Sequence, residues 1–339
     1  MANLYSNMNG SDIIITSRIR LARNIKDIPF PHKLDEDKSN EIIDKVYGTL
    51  SGDDLQGIGP FNLVRFNKLS SAEKFSMVER HLISKELISN ASKSAAIVNE
   101  NENVSIMINE EDHIRLQVMM PGFKLKEALN YANELDDIIE GKIDYAFDNK
   151  LGYLTSCPTN VGTGLRASVM LHLPALSISK SVGGILNTLN QVGMTIRGIY
   201  GEGSSSEGNI YQVSNQVTLG LSEEEIINSL IAVVGKIVDQ EKAARNALNE
   251  KQGKELEDDL YRSIGILKYA RMLSSREALN LLSNVRMGID MGIIKDVKPE
   301  VVNELIVKVQ PATLQLQSDK ELSGAGRDEL RAAIVREAL

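Results

Sequence analysis

The sequence has no tryptophan and one cysteine, Cys157, among 339 residues. A single thiol can neither close an internal disulfide nor build a thiolate metal cluster, so the chain suits a reducing compartment. Four histidines, His32, His81, His113 and His172, lack the paired spacing of a zinc site, and no metal-ligating residue is predicted. No window approaches the roughly 18 consecutive apolar residues that span a bilayer, and the first twenty residues carry no basic-then-apolar leader. The expectation is a cytoplasmic protein without a membrane partner. Positive charge is also short: 38 Lys and Arg against 46 Asp and Glu leave a net charge of −8, which argues against binding nucleic acid. The G-x-x-x-x-G-K-[ST] loop, the H-R-D and D-F-G pair and the strand-to-helix G-x-G-x-x-G are all absent. If the protein binds a nucleotide, side chains must hold the phosphates.

What remains is an ordinary globular composition, 42% hydrophobic and 25% charged, in a chain long enough for two domains. Residues 251–339 carry 14 charges of each sign, so the acidic excess lies in residues 1–250. Helical periodicity marks 36–51, 71–90 and 124–141, the second opened by a Ser70 to Glu73 capping box. Ala95–Val98, Val104–Ile108 and His113–Met119 read as a strand meander, Leu165–Leu173 as a helix stopped by Pro174, and 182–193 as another helix. Thr195–Tyr200 and Asn209–Val217 read as strands around a Gly/Ser loop. A second capping box, Ser222 to Glu225, opens a helix, and beyond residue 250 the pattern is helical throughout. The fold class is therefore α+β: a mixed domain over 1–250, then an all-helical domain over 251–339.

Arginines in this acidic background suggest a local anion pocket, because the guanidinium fork binds phosphate bidentately and stays charged. Arg18, Arg20 and Arg23 lie close together, and as a strand Arg18 and Arg20 share a face, although a solvated edge strand fits equally well. In Asn109-Glu110-Glu111-Asp112-His113-Ile114-Arg115, three adjacent acids suit a cationic substrate such as a guanidinium. An acidic turn is the plainer alternative. Extended, Glu111, His113 and Arg115 would share one face. The Cys157–Arg166 stretch reads as a Gly-containing turn opening a helix, whose end would favour an anion and activate a nearby thiol, against the alternative of a buried inert thiol. Residues 197–208 read as a mobile Gly-rich loop or a long hairpin connection.

Together the four segments resemble the phosphagen-kinase superfamily, with NEEDH-x-R at 109–115, CPTN-x-GTG-x-RAS at 157–168 and RG-x-x-GEGS at 197–204. Within it the chain is most similar to the bacterial protein-arginine kinases of the McsB type. Little room precedes Arg18 for the N-terminal pocket domain of the metabolic members, Met170 stands where those carry a His, and the chain ends in Arg327-Asp328-Glu329-Leu330-Arg331-Ala332. The resemblance implies an antiparallel sheet flanked by helices. It implies ATP as donor, carried with Mg2+, and an ATP site of Arg18, Arg20, His81, Arg115, Arg166 and Arg197. Glu111 is implied to orient the substrate guanidinium and take its proton, with Cys157 beside it. The family's second catalytic glutamate aligns with Ser205, so Glu207 is the candidate replacement, with Glu202 at the loop base as another.

Arg327, Asp328 and Arg331 are implied to read phosphoarginine, against the plain alternative of a solvated charge pattern. The implied partners are protein substrates with exposed arginines, a zinc-binding activator protein, Clp-type protease machinery and a second copy in a homodimer, with roles in stress response and protein quality control. Two rival functions stay open: a kinase for free arginine, and a non-catalytic phosphoarginine-binding adaptor. The apolar helix face of Leu279, Leu282 and Val285 needs a partner, either a second copy or the domain's own core.

Overall fold

The computed structural model describes residues 13–50, 59–199 and 206–339. Ser205 and Glu202 lie outside them. The chain divides into two compact units, one of Thr16–Ser168 with Ser214–Ile231 and one of Val169–Val213 with Ala232–Leu339, besides short N-terminal pieces. Eight strands form one sheet: β1 (Ile14–Arg23), β2 (Phe61–Arg65), β3 (Ala95–Asn99), β4 (Val104–Ile108), β5 (Ile114–Pro121), β8 (Leu165–His172), β9 (Met194–Gly198) and β10 (Ile210–Asn215). Their order is β2-β3-β4-β5-β1-β8-β10-β9, and β6 (Phe147–Asp148) pairs with β7 (Gly152–Tyr153) as a separate small ribbon.

In the first unit the β1–β5 register decides what faces what. The antiparallel pairing sets Arg20 opposite Gln117, Ala22 opposite Arg115 and Arg18 opposite Met119, so Arg18, Arg20 and Arg115 stand on one face. The alternate residues Ile19, Leu21, Leu116 and Val118 are fully buried on the other. Helices α1 (Glu36–Thr49) and α4 (Leu125–Glu140) belong to this unit, and α4 buries Leu125, Ala128, Ala132, Leu135 and Ile139 as an apolar stripe. On the arginine face, Met107 and Met119 join a core with Phe66, Met77, Leu82 and Leu87 from the segment holding α2 (Ser71–Glu79) and α3 (Lys85–Ser89). That packing carries His81 and Ser84 toward the arginines. The helix expected over 71–90 is two, because His81 takes φ 60° between them. Both capping boxes form as expected, at Ser70 and Ser222.

One expected helix is a strand. Leu165–Leu173 reads helical because its residues are apolar, yet nearly all of β8 is buried, and a strand covered on both faces shows no alternation in sequence. The Cys157 segment accordingly opens a short 3-10 turn, Pro158–Asn160, and then a strand, so no helix end serves the thiol. Gly164, at φ +64°, immediately precedes β8, and its carbonyl accepts from the Ala22 amide at 3.0 Å. A Cβ there would lie 2.6 Å from the Ala22 oxygen.

Arg23, the third arginine of the β1 group, serves the fold. It is 1% exposed, pairs with Asp136 at 2.7 Å, donates to the Ala22 and Thr163 carbonyls, and lies 3.5 Å over the Tyr153 ring.

The second unit includes α5 (Pro174–Ile178), α6 (Val182–Gln191), most of α7 (Glu223–Tyr269, broken at Gln252), α8 (Ser275–Asp290), α9 (Pro299–Lys308), α10 (Pro311–Gln315) and α11 (Gly324–Ala338). Leu279, Leu282 and Val285 are buried in this unit, so that face is spent on the chain's own core. Glu241 accepts from the Ala175 and Leu176 amides at the start of α5 and pairs with Arg245 at 2.8 Å. Among the described residues no helix is long and apolar enough to cross a membrane.

Candidate active site

Four arginines converge in the first unit. Arg20 is half-buried at the centre with its Nε fully covered, and desolvation together with the positive charges of Arg18, Arg115 and Arg166 pushes its guanidinium well below the usual arginine range, opposed by Glu110. Its Nε has no hydrogen-bond partner among the described residues. Like charges gathered this way are a standing cost unless an anion joins them. Arg18 Nε reaches Ser168 Oγ at 3.3 Å and Arg166 reaches Ser214 Oγ at 3.4 Å. Arg166 and Ser168 share a face of β8 because the side-chain period of a strand is two.

Glu110 forms an ion pair with Arg115 and accepts a hydrogen bond from Ser84. Sequence reasoning assigned it no role. Three consecutive acids look alike, and the partners that distinguish Glu110 come from α3's N-cap and β5.

The turn 109–113 is not extended, and the expected common face of Glu111, His113 and Arg115 does not form. Asn109 takes φ 57° and reverses the chain, while His113 turns inward. The His113 Nδ1 accepts from the Ile25 amide at 3.1 Å and its Nε2 lies 2.9 Å from the Pro29 carbonyl. Glu111 remains at the surface, hydrogen-bonded to the Cys157 side chain. Partial burial first, then the neighbouring Asp112 charge, raise its carboxyl above the usual range, while Cys157 and Arg115 pull it down. A raised carboxylate beside a thiol is suited to accept a proton from a bound cation. The Cys157 Sγ also lies 3.0 Å from the Thr159 Oγ1.

His81 joins the same cluster. Burial, then the charge of Arg18, push it down to about 3, so its ring is neutral at neutral pH. The unfolded chain binds this proton near pH 6.5 while the folded one does not, so stability is full at neutral pH and falls as pH drops from about 6.5 toward about 3. His81→Asn, which tolerates the positive φ, should remove about 2 kcal/mol of the stability loss between pH 7 and pH 5, as read by urea unfolding at the two pH values. Equal losses in both proteins would remove His81 as the cause.

Arg197 and Glu207 belong to the second unit. Arg197 is exposed on β9, and Glu207 opens the half-buried turn Glu207–Asn209. That turn is fastened to α8: the Gly208 amide donates to Asn280 Oδ1 at 2.9 Å, and Asn209 Nδ2 to Ser283 Oγ at 2.9 Å. In α11, Arg331 is 1% exposed and donates to the carbonyls of Val309 and Leu273 and to Asp328 Oδ1 at 2.6 Å. Its guanidinium is engaged inside the unit. Arg327 donates to the Leu322 carbonyl, and the Asp328 side chain is about one-third exposed.

Comparison with known proteins places these residues in a family. Residues 40–244 match the ATP:guanido phosphotransferase C-terminal catalytic domain, and residues 253–339 match the protein-arginine kinase McsB C-terminal domain. A protein-arginine kinase of Clostridium acetobutylicum is 50% identical over 99% of this chain and 98% of its own length. That of Clostridium kluyveri is 52% identical over 99% and 96%, and that of Bacillus subtilis 49% identical over 97% and 90%. Among solved structures, lombricine kinase is 26% identical with a TM-score of 0.59, covering 71% of this chain and 69% of that one. The duplicated taurocyamine kinase of Schistosoma mansoni shares the fold at 24% identity, with a TM-score of 0.61 over 82% of this chain and 39% of that one. The chain belongs to the ATP:guanido phosphotransferase family and, within it, to the protein-arginine kinases.

Proposed function

We propose that this chain transfers the γ-phosphoryl group of ATP to arginine side chains of proteins, with Arg18, Arg20, Arg115 and Arg166 holding the phosphates and Glu111 receiving the proton. The observation that carries this reading is Arg20, ringed by like charges and with a buried, unpartnered Nε, in the cluster that also contains Glu111 and Cys157. A polyphosphate supplies the missing negative charge and acceptor. Arg197 extends the phosphate contacts, His81 lies on the adenine side, and Glu207 is the second carboxylate.

A substrate guanidinium has a pKa above about 12 and no free lone pair until it loses a proton. Glu111 accepts an N–H hydrogen bond and then the proton. The freed nitrogen pair attacks the γ-phosphorus in line, a P–N bond forms, the β-γ bridging P–O bond breaks, and its electrons leave on ADP. The arginines hold the phosphoryl oxygens fixed while charge redistributes. Cys157, bonded to Glu111, orients the carboxylate. Among the described residues no group of three or more His, Cys, Asp or Glu is arranged to hold a metal ion. Magnesium would ride on phosphate and water oxygens and neutralise their charge.

Residues 251–339 form the helical domain of this reading, with Asp328 and Arg327 meeting phosphoarginine. The enzyme acts in the cytoplasm as a homodimer, with a zinc-binding activator and a Clp-type protease as partners in stress response. The test is to incubate the protein with Mg-ATP and either an unfolded arginine-containing protein or millimolar free L-arginine, then measure acid-labile phosphate on arginine by mass spectrometry. Modification of the protein, at least tenfold above that of the free amino acid, is expected. Preference for free arginine would make it a metabolic kinase, and no product at all would make it an adaptor.

A further inference from the structure

Asn24, just beyond the end of β1, is 1% exposed and its side chain makes three hydrogen bonds to the two segments that carry Glu111 and Cys157. Its Nδ2 donates to Asp112 Oδ1 at 2.6 Å and to the Leu154 carbonyl at 3.0 Å, and its Oδ1 accepts from the His113 amide at 3.0 Å. The same Asp112 oxygen accepts from the Ser156 amide at 2.6 Å. One amide side chain therefore spans the acidic turn at 112–113 and the stretch 154–156. Glu111 and Cys157 are the next residues along each segment, and their side chains are bonded to each other.

We propose that Asn24 is a positioning residue for phosphoryl transfer: through Asp112 it sets the Glu111–Cys157 contact and hence the place where the proton is received. The proposal rests on Glu111 as the proton acceptor. Asn24 does not touch the reacting atoms. Its two donors and one acceptor match three groups from two segments more than forty residues apart in sequence, and no other amino acid of that size offers both kinds of bond. A few tenths of an ångström at this joint are passed directly to the carboxylate, where geometry governs rate.

A structural role alone would also give a buried Asn these bonds, so the test needs a signature that stability does not produce. N24D is isosteric and replaces the donor facing Asp112 with an acceptor. At pH 8 the two carboxylates repel across the 2.6 Å gap and the Leu154 carbonyl loses its donor. Toward pH 6.5 a single shared proton restores an O–H···O bridge at this place. Glu110, Glu111, Arg115, Cys157 and His113 surround the pair in both proteins; negative charge added at position 24 raises the Glu111 carboxyl further and by itself makes the mutant to wild-type ratio fall toward pH 6.5, the opposite of the change expected from the shared proton.

Steady-state phosphorylation of an unstructured arginine-containing peptide with Mg-ATP should show N24D at least tenfold below wild type in kcat at pH 8. Its KM for ATP should stay within twofold. The mutant to wild-type ratio should rise severalfold between pH 8 and pH 6.5. A kcat within twofold of wild type at pH 8, or a deficit that does not change with pH, overturns the proposal. Should N24D fail to fold, N24A supplies the reading: a kcat within twofold overturns it, and a tenfold loss with no recovery at low pH supports it, since alanine cannot share a proton. E111Q is run alongside. An active E111Q sinks the assignment of Glu111 itself, whereas an inactive E111Q with normal N24D and N24A sinks only the role of Asn24.

Discussion

Glu111→Gln should lower the rate of arginine phosphorylation by about a hundredfold or more, while leaving ATP affinity within about twofold of wild type. Glutamine keeps the shape and can still accept a guanidinium hydrogen bond, but it cannot take the proton. The effect is therefore expected in kcat rather than in nucleotide binding. The carboxyl of Glu111 is raised by burial and by Asp112, which brings its proton affinity closer to the working pH than that of an ordinary glutamate. Single-turnover rates across pH 5 to 8 would read this directly: the wild-type rate should fall with acidification along one ionisation, and the variant should be slow and flat. A near-normal rate from E111Q would mean that another group receives the proton.

Arg20→Met is expected to separate binding from stability in the opposite sense. Arg20 sits among Arg18, Arg115 and Arg166, with burial and repulsion both acting against its charge. Methionine keeps much of the volume and removes the charge, so the apo protein should be as stable as wild type or melt a few degrees higher. ATP affinity should fall by about tenfold to a hundredfold, as expected for the loss of charge-assisted hydrogen bonds to phosphate. Differential scanning fluorimetry with and without Mg-ATP measures both quantities in one experiment. A variant that loses stability yet binds ATP normally would show that Arg20 is structural, like Arg23 three residues on.

The contrast between those two arginines also marks what the sequence could reveal. Arg18 and Arg20 share a parity along β1 and Arg23 does not, so alternation alone separates them. Alternation cannot show that Arg23 meets Asp136 and Tyr153, which lie more than a hundred residues away. The capping boxes at Ser70 and Ser222 were legible because each closes within three residues. The strand β8 was not, because burial on both sides erases the alternation that distinguishes a strand from a buried helix. In the acidic turn, sequence singles out a cluster but not the division of labour within it. Glu110 is claimed by Arg115 and Ser84, Asp112 by Asn24 and Ser156, and Glu111 alone faces outward to Cys157. Those roles are fixed by neighbours contributed from separate elements, and no local pattern carries them. Asn24 itself has no sequence signal, since one Asn after a strand is commonplace.

Gly164 gives the arginine cluster its gauge. Where any other residue would carry a methyl or more, this one presents only hydrogen toward the Ala22 oxygen and the Arg23 guanidinium, at 2.6 and 2.7 Å from where that carbon would sit. The two rows that bear Arg18 and Arg166 can lie side by side because nothing fills that gap, and four residues further along Arg18 reaches Ser168 from one row to the other at 3.3 Å. The spacing between the strand that bears Arg18 and the one that bears Arg166 is thus inherited from a residue with no side chain, at a point that itself bears no charge.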